Sequence, residues 1–471
     1  MRRSPVSDSP FSDAPVSSLP VARRAVLLGA SAGLLAGCET ITDAFDSVFG
    51  ERKRALQGER KPVLAAERPL GSDEAGRGAP LALPPIVENA AWEQAGGTVT
   101  HAPGHPALAR GLAEAWRTSI GTGASYRRRL TAPPLVAGGT VFAVDAFGRV
   151  SALDAANGRR RWQVDTRPKQ DRDGALGGGI AFDGGRLYVA TSLSEAMVLD
   201  PADGSIGWRV ALPAPARGTP TVAGGRILVP TVENQLLALS VEDGRRLWTY
   251  RAQATATMSL GLPAPAVEGE TVVAGFGSGE LAALRLEDGR VVWSDTLASA
   301  RGGGLADIAA IAAMPVVDRG RVFATGLGGL TVALDLRSGR RLWEREVSAV
   351  ETPWAAGDAL FLMAANGNLA CLGREDGRVR WLTELGRFEN EKKRRDPIFW
   401  GPPVLAGGRL LVAGSHGRMA EVNPLDGERL GTLKLRAGAV LEPAVAGGVL
   451  YLLTEEAEVV AMRGRETGIG T

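Results

Sequence analysis

The stretch Ala152-Leu153-Asp154-Ala155-Ala156-Asn157-Gly158-Arg159-Arg160-Arg161-Trp162 decides the fold, because its fixed points return along the chain. A small residue, a glycine six positions later and a tryptophan four after that recur as Ala238/Gly244/Trp248, Ala283/Gly289/Trp293 and Ala333/Gly339/Trp343. Val198/Gly204/Trp208 and Cys371/Gly377/Trp381 are variants of the same triple. Outward from the first copy lie Pro134–Gly139, Thr140–Val144 and Gly148–Asp154, short pieces with β-branched or aromatic content between Gly, Asn and Asp turns. That pattern predicts a four-stranded antiparallel meander. The turn glycine recurs at Gly158, Gly204, Gly244, Gly289, Gly339, Gly377 and Gly427, about 45 residues apart, an interval typical of propeller blades. Physically, the outer-strand Trp can lie across the next blade, the small residue makes room for it, and Gly permits positive φ in the turn. Cys371 fills a small-residue position and reads as a buried apolar thiol. The seventh copy breaks the rule, with Glu421, Gly427 and then Gly431 where Trp belongs.

An eighth copy begins at Pro443, continues through Leu450–Leu453 and Val459–Met462, and lacks an outer strand. Upstream of the first copy, Ala115-Trp116-Arg117-Thr118-Ser119-Ile120 has outer-strand character, and Trp116 precedes Trp162 by the same interval that separates Trp162 from Trp208. The expected architecture is therefore all-β: an eight-bladed β-propeller of four-stranded antiparallel blades over residues 89–471, its last blade completed by the N-terminal strand. Closure leaves only short, protected edges. Trp116, Trp162, Trp208, Trp248, Trp293, Trp343 and Trp381 are the expected blade-docking residues.

Composition narrows the chemistry. Of 471 residues, 62 are Gly, as an array of tight turns requires, and 54 basic against 52 acidic residues leave a net charge of +2, which disfavours nucleic acid as a partner. Three histidines (His101, His105, His416) and two cysteines (Cys38, Cys371) form no metal-ligand spacing, so no metal site and no catalytic residue is nominated. Acids such as Asp145 read as turn formers.

The N-terminus carries an address. Arg23-Arg24, a short apolar run Ala25–Ala36 and small residues make a signal peptide over 1–37, too short to span a bilayer. Leu35-Ala36-Gly37-Cys38 resembles a bacterial lipobox, with Cys38 as the lipidation site, and several acyl chains would anchor the chain stably. Glu39 rather than Asp after the cysteine favours sorting to the outer membrane. Arg23-Arg24 also leaves a twin-arginine export signal open beside the general route, although Val26-Leu27-Leu28 departs from its usual completion. Residues 38–88, charged and without period, read as the lipidated N-terminus and a disordered tether.

The relation Ala-x-Asp-x-x-x-Gly-x-x-x-Trp, complete from Ala152 to Trp162, resembles the tryptophan-docking motif of pyrroloquinoline-quinone propellers, and Trp92–Gly97 looks like their N-terminal opening segment. Two families share that scaffold: secreted quinoprotein dehydrogenases, and the BamB lipoproteins of the outer-membrane β-barrel assembly machinery. Gly328–Trp343 is particularly similar to the corresponding BamB blade, and the lipobox, tether and single propeller fit the same family. Quinoprotein dehydrogenases carry adjacent cysteines, Ca²⁺ ligands and a general base, none of which can be nominated here. The resemblance implies a non-enzymatic scaffold without cofactor. It would be anchored by lipid in the cell outer membrane facing the periplasm, as one copy within a hetero-complex built around a BamA-like protein. A quinone-binding dehydrogenase-like propeller and a periplasmic ligand-binding propeller remain the alternatives.

Family resemblance also suggests the partner surface. The family's first contact segment aligns with Met258–Leu262, where Ser259 and Leu260 match and Gly261 replaces an Arg. The second aligns with Ala310-Ile311-Ala312, where both family acids are absent and Asp307 is the nearest substitute. Ser259, Leu260, Leu262, Asp307, Ile308 and Ile311 are therefore the expected partner contacts, of which Leu260, Leu262, Ile308 and Ile311 read as an exposed apolar cluster with one acid. A rival surface is the charged insertion Phe388–Trp400, most simply a solvated loop with Trp400 packed at its base.

Overall fold

The computed structural model describes residue 73 and residues 80–126, 128–168, 178–255, 261–297 and 310–465. Eight four-stranded antiparallel sheets follow one another in chain order as an eight-bladed propeller, joined by one extra two-stranded hairpin. Blade 1 comprises Leu135–Ala137, Thr140–Val144, Arg149–Asp154 and Arg160–Asp165, and blades 2 to 7 repeat it. Blade 8 is built from Ala444–Ala446, Val449–Leu453, Glu458–Gly464 and, as its outer strand, the N-terminal Leu112–Ser119. The expected closure is present, with Trp116 opposite Ala461.

The recurring triple is a docking device between blades. Within a blade, Trp162 pairs with Ala152 across the outer ladder, and a bulge follows immediately. The same register joins Val198 to Trp208, Ala238 to Trp248, Ala283 to Trp293, Ala333 to Trp343 and Cys371 to Trp381. Each indole then crosses to the next blade and donates its Nε1–H to a carbonyl there: Trp116 to Ala155 at 3.1 Å, Trp162 to Pro201 at 2.9 Å, Trp248 to Leu286 at 3.0 Å. Trp208, Trp293, Trp343 and Trp381 do likewise with Val241, Leu336, Arg374 and Pro424. The turn glycine carries a second duty beyond its positive φ, because the neighbouring indole lies directly on its Cα. Cys371 is fully buried, and burial pushes its thiol pKa up.

Blade 7 solves the missing Trp differently. Glu421 stands opposite Gly431, and Arg409, 2% exposed, donates Nε to Glu421 at 3.2 Å and Nη2 to the Ala109 carbonyl at 2.7 Å. An ion pair thus stands at the small-residue position opposite Gly431, where the other blades carry an indole, and it reaches the segment entering the closing strand.

The expectation of a featureless tether up to residue 88 does not hold for its last part. Ala82 exchanges hydrogen bonds with Asp358, and Val87 exchanges backbone bonds with His105 and Ala107. The segment shows no period because its partners are distant parts of the chain. Asp73, too, is bonded to Val379 through its backbone N–H and its carboxylate.

Residues 89–108 form a belt inside the ring, touching each blade in turn. Asn89 bonds Val445 and Gly447 of blade 8, and Trp92 exchanges two bonds with Val136 of blade 1. Glu93 accepts from Phe182 of blade 2, and the Gln94 amide brackets Val222 of blade 3. Val99 and Thr100 accept from Val267 and Val317 of blades 4 and 5, and Gly104 accepts from the Trp354 indole of blade 6. Pro106 and His105 then meet Gly407 and Gly408 of blade 7. His105 Nε2 accepts from Gly408 at 2.9 Å, which leaves Nδ1–H to donate to Pro84 at 3.0 Å. His101 is buried against the Pro315 carbonyl at 2.7 Å, and burial lowers its pKa to about 4, so the ring fastens the belt in its neutral form.

Candidate functional site

Each inner strand is entered by a linker from the outer strand of the preceding blade, so all these linkers share one face of the propeller. The belt lies farther along the inner strands, towards their first turns. Between belt and linkers is a cavity of about 390 Å³, with Ala95 of the belt in its wall and linker residues leading into seven of the eight blades around it. Its lining mixes apolar groups (Leu130, Leu262, Met314, Val350, Leu441) with Arg129 and two carboxylates, Glu351 and Glu442.

The two acids share one electrostatic problem. Burial pushes Glu442 up to about 7, opposed by its hydrogen bond from the Gly96 amide at 2.7 Å. Burial, and then the charge of Glu442, pushes Glu351 up to about 8. These groups hold protons near neutrality, and among the described residues lining the cavity no His, Cys, Ser or Lys stands with them. Among the described residues no three His, Cys, Asp or Glu side chains converge.

Of the expected partner residues, Leu262 and Ile311 are among the described residues, and they do not form an exposed pair. Leu262 is half-buried, lines the cavity and forms a parallel bridge with Gly218 of the preceding linker. Ile311 is fully buried and is not a surface residue: its amide donates to Phe276, and its side chain occupies the space where a Cβ on Gly275 would stand, 2.5 Å from Cγ2. Ser259, Leu260, Asp307 and Ile308 lie outside the described residues, as does Cys38 with the signal and lipobox. Asp145 is a turn former as expected, its carboxylate accepting from the amides of Thr122, Phe147 and Arg149.

Residues matching the description of the outer membrane protein assembly factor BamB are 146–383 and 383–469. The chain belongs to the BamB family. A Salmonella typhimurium BamB is 30% identical over 356 residues, covering 74% of this chain and 88% of that protein. The Escherichia coli BamB is 29% identical over 357 residues with the same coverages, 74% and 88%. A solved BamB structure from Moraxella catarrhalis superposes with a TM-score of 0.64 at 20% identity, covering 75% of this chain and 99% of that one. The propeller itself is shared more widely. A europium-containing methanol dehydrogenase superposes at a TM-score of 0.62 and 14% identity, covering 77% of this chain and 89% of that one, a likeness of fold alone. Residues 106–182 also match the β-propeller domain of glucose/ethanol/alcohol dehydrogenases.

A central funnel is expected of a propeller that binds a ligand, but the belt and the two cavity carboxylates have no signal in the repeat pattern. Trp92–Gly97 carried the only signal, as an opening segment, and nothing in its spacing discloses eight successive partners.

Proposed function

We propose that this BamB-family chain is a non-catalytic scaffold for assembly of outer-membrane β-barrel proteins, held at the membrane through Cys38 and facing the periplasm, with a BamA-like core component as its partner. The observation that carries this reading is the match to outer membrane assembly factors over 88% of the length of a relative. The partner surface in this reading is the linker face on blades 4 and 5, through Ser259, Leu260, Leu262, Asp307 and Ile308. Ile311 acts beneath it as a core residue supporting the linker.

A dehydrogenase reading draws on the shared propeller, but the residues present do not fit a Ca²⁺-bound quinone. Ca²⁺ takes six to eight oxygen ligands including ionised carboxylates. Among the described residues the cavity offers two carboxylates, both pushed towards their neutral forms, one already engaged by Gly96.

The test is affinity capture of the full-length chain from crosslinked membranes, with mass spectrometry of what it holds. A BamA-like protein should co-purify, and Leu260→Asp with Leu262→Asp should remove it while the melting temperature stays close to wild type. Capture without any assembly component would overturn the proposal.

A further inference from the structure

The linker between blades 6 and 7 is not a simple connector. It extends as a hairpin, Phe388–Asn390 paired with Arg395–Pro397, whose two strands bond to no blade. Its neck is braced. Trp400 is buried, donates Nε1–H to the Gly386 carbonyl at 2.8 Å and packs edge-on against His416 with centroids 4.9 Å apart. Phe399 is tied to Ser415 through both its amide and its carbonyl, while Ile398 donates to Arg387.

The tip is ordered by its own side chains. Glu391 turns back to accept from the amides of Arg387 and Phe388, and Asn390 accepts from the Lys393 amide at 3.1 Å. Lys392, Lys393, Arg394 and Arg395 are all exposed, and among the described residues none of them makes a salt bridge, although Arg394 lies near enough to Glu391 to help lower its pKa. Phe399 at the neck is 62% exposed.

A solvated loop needs no such bracing. We propose that this hairpin is a preorganised cationic prong that docks an acidic, extended segment of a protein partner on the linker face, a proposal that rests on the scaffold reading above. Charge complementarity selects the partner: four consecutive cations across the tip of a mounted hairpin match a run of carboxylates, and open strand edges accept an extended chain. The same charges discourage a second copy of the hairpin from adding to that edge. A protein fits better than a lipid surface, because Glu389 and Asp396 flank the cations with negative charge and the exposed aromatic stands at the neck rather than the tip. Two residues beyond Trp400, Pro402 lines the central cavity, so the base of the prong is joined directly to the cavity wall.

The experiment uses the full-length chain and a fluorescein-labelled alternating Glu-Thr peptide of about twelve residues, followed by anisotropy, with a Gln-Thr peptide and phosphatidylglycerol vesicles as comparisons. Wild type should bind the Glu-Thr peptide, weakening by about tenfold or more between low and moderate salt. Replacing the four basic residues (Lys392→Glu, Lys393→Glu, Arg394→Glu, Arg395→Glu) should reduce that affinity at least about tenfold with the melting temperature unchanged. A variant with Gln at all four positions should lie between. Equal binding by wild type and charge-reversed protein would overturn the proposal, as would prong-dependent binding to the vesicles but not to the peptide. Failure of wild type to capture an assembly component strikes the scaffold reading alone and leaves the peptide result standing.

Discussion

The indole of Trp116, on the N-terminal strand, lies on the Cα of Gly158 in the first blade: a Cβ placed there would stand 2.4 Å from Cε3. The contact joins the first and last parts of the ring, and the Thr118 hydroxyl reinforces it by donating to the Gly158 carbonyl at 2.7 Å. With φ at +72°, Gly158 is restricted twice over, by backbone and by neighbour. Gly158→Ala should therefore cost about 1–3 kcal/mol. Gly138→Ala, at a positive φ with open space around it, should cost less. Denaturant titration of the two variants checks the order.

Trp116→Ala removes both the buried ring and its bond to Ala155, and a loss of about 3–5 kcal/mol is expected. Deleting 112–121 should be more damaging still, whereas deleting 52–61 should leave the melting temperature unchanged. Equal effects of the two deletions would contradict closure by the N-terminal strand.

For blade 7, Glu421→Ala leaves the Arg409 guanidinium buried without its carboxylate, a loss of about 3 kcal/mol or more. Adding Arg409→Leu should recover part of it, since the uncompensated charge goes too. A double-mutant cycle measures the coupling, and additive losses would show that the pair does not replace the indole.

Stability should fall as pH rises above about 6.5, where His101 is neutral in both states. Glu442 and Glu351 keep their protons up to about 7 and about 8 when folded, but lose them near 4.5 when unfolded. The folded state then binds more protons, and each carboxyl still protonated contributes a slope of up to about 1.4 kcal/mol per pH unit. The decline ends above pH 8, and the double variant Glu351→Gln, Glu442→Gln should flatten it in thermal melts. Below pH 6.5 His101 acts with the opposite sign, destabilising the fold as pH falls towards 4.

Cys38→Ala should release the protein from membranes and remove the mass of the acyl chains. Unchanged fractionation and intact mass would refute the lipid anchor.

How legible each part was follows from where its bonds go. The blades could be read because Ala152, Gly158 and Trp162 interact at fixed short spacings, and each strand finds its partner in the next few residues. The belt could not, since Gln94 bonds Val222 and Asn89 bonds Val445, partners at no periodic distance. Ile311 was misread as exposed because its linker is rich in small residues. What buries it is the missing side chain of Gly275 on another blade, which no local pattern reveals. The cavity carboxylates were equally hidden, since Glu351 and Glu442 stand in linkers that differ from blade to blade.

The belt has a consequence for how the protein comes apart. A repeat array whose units touch only their neighbours can lose them one at a time, its stability a sum of local terms. Here one strap of some twenty residues is bonded to all eight blades, and the strand that follows it completes the eighth. No blade can open without loosening an element that the other seven share. Unfolding should therefore be a single cooperative transition reported alike by tryptophan fluorescence and far-ultraviolet dichroism, and hydrogen exchange at Val136, Val222, Val267 and Val317 should collapse to one common rate.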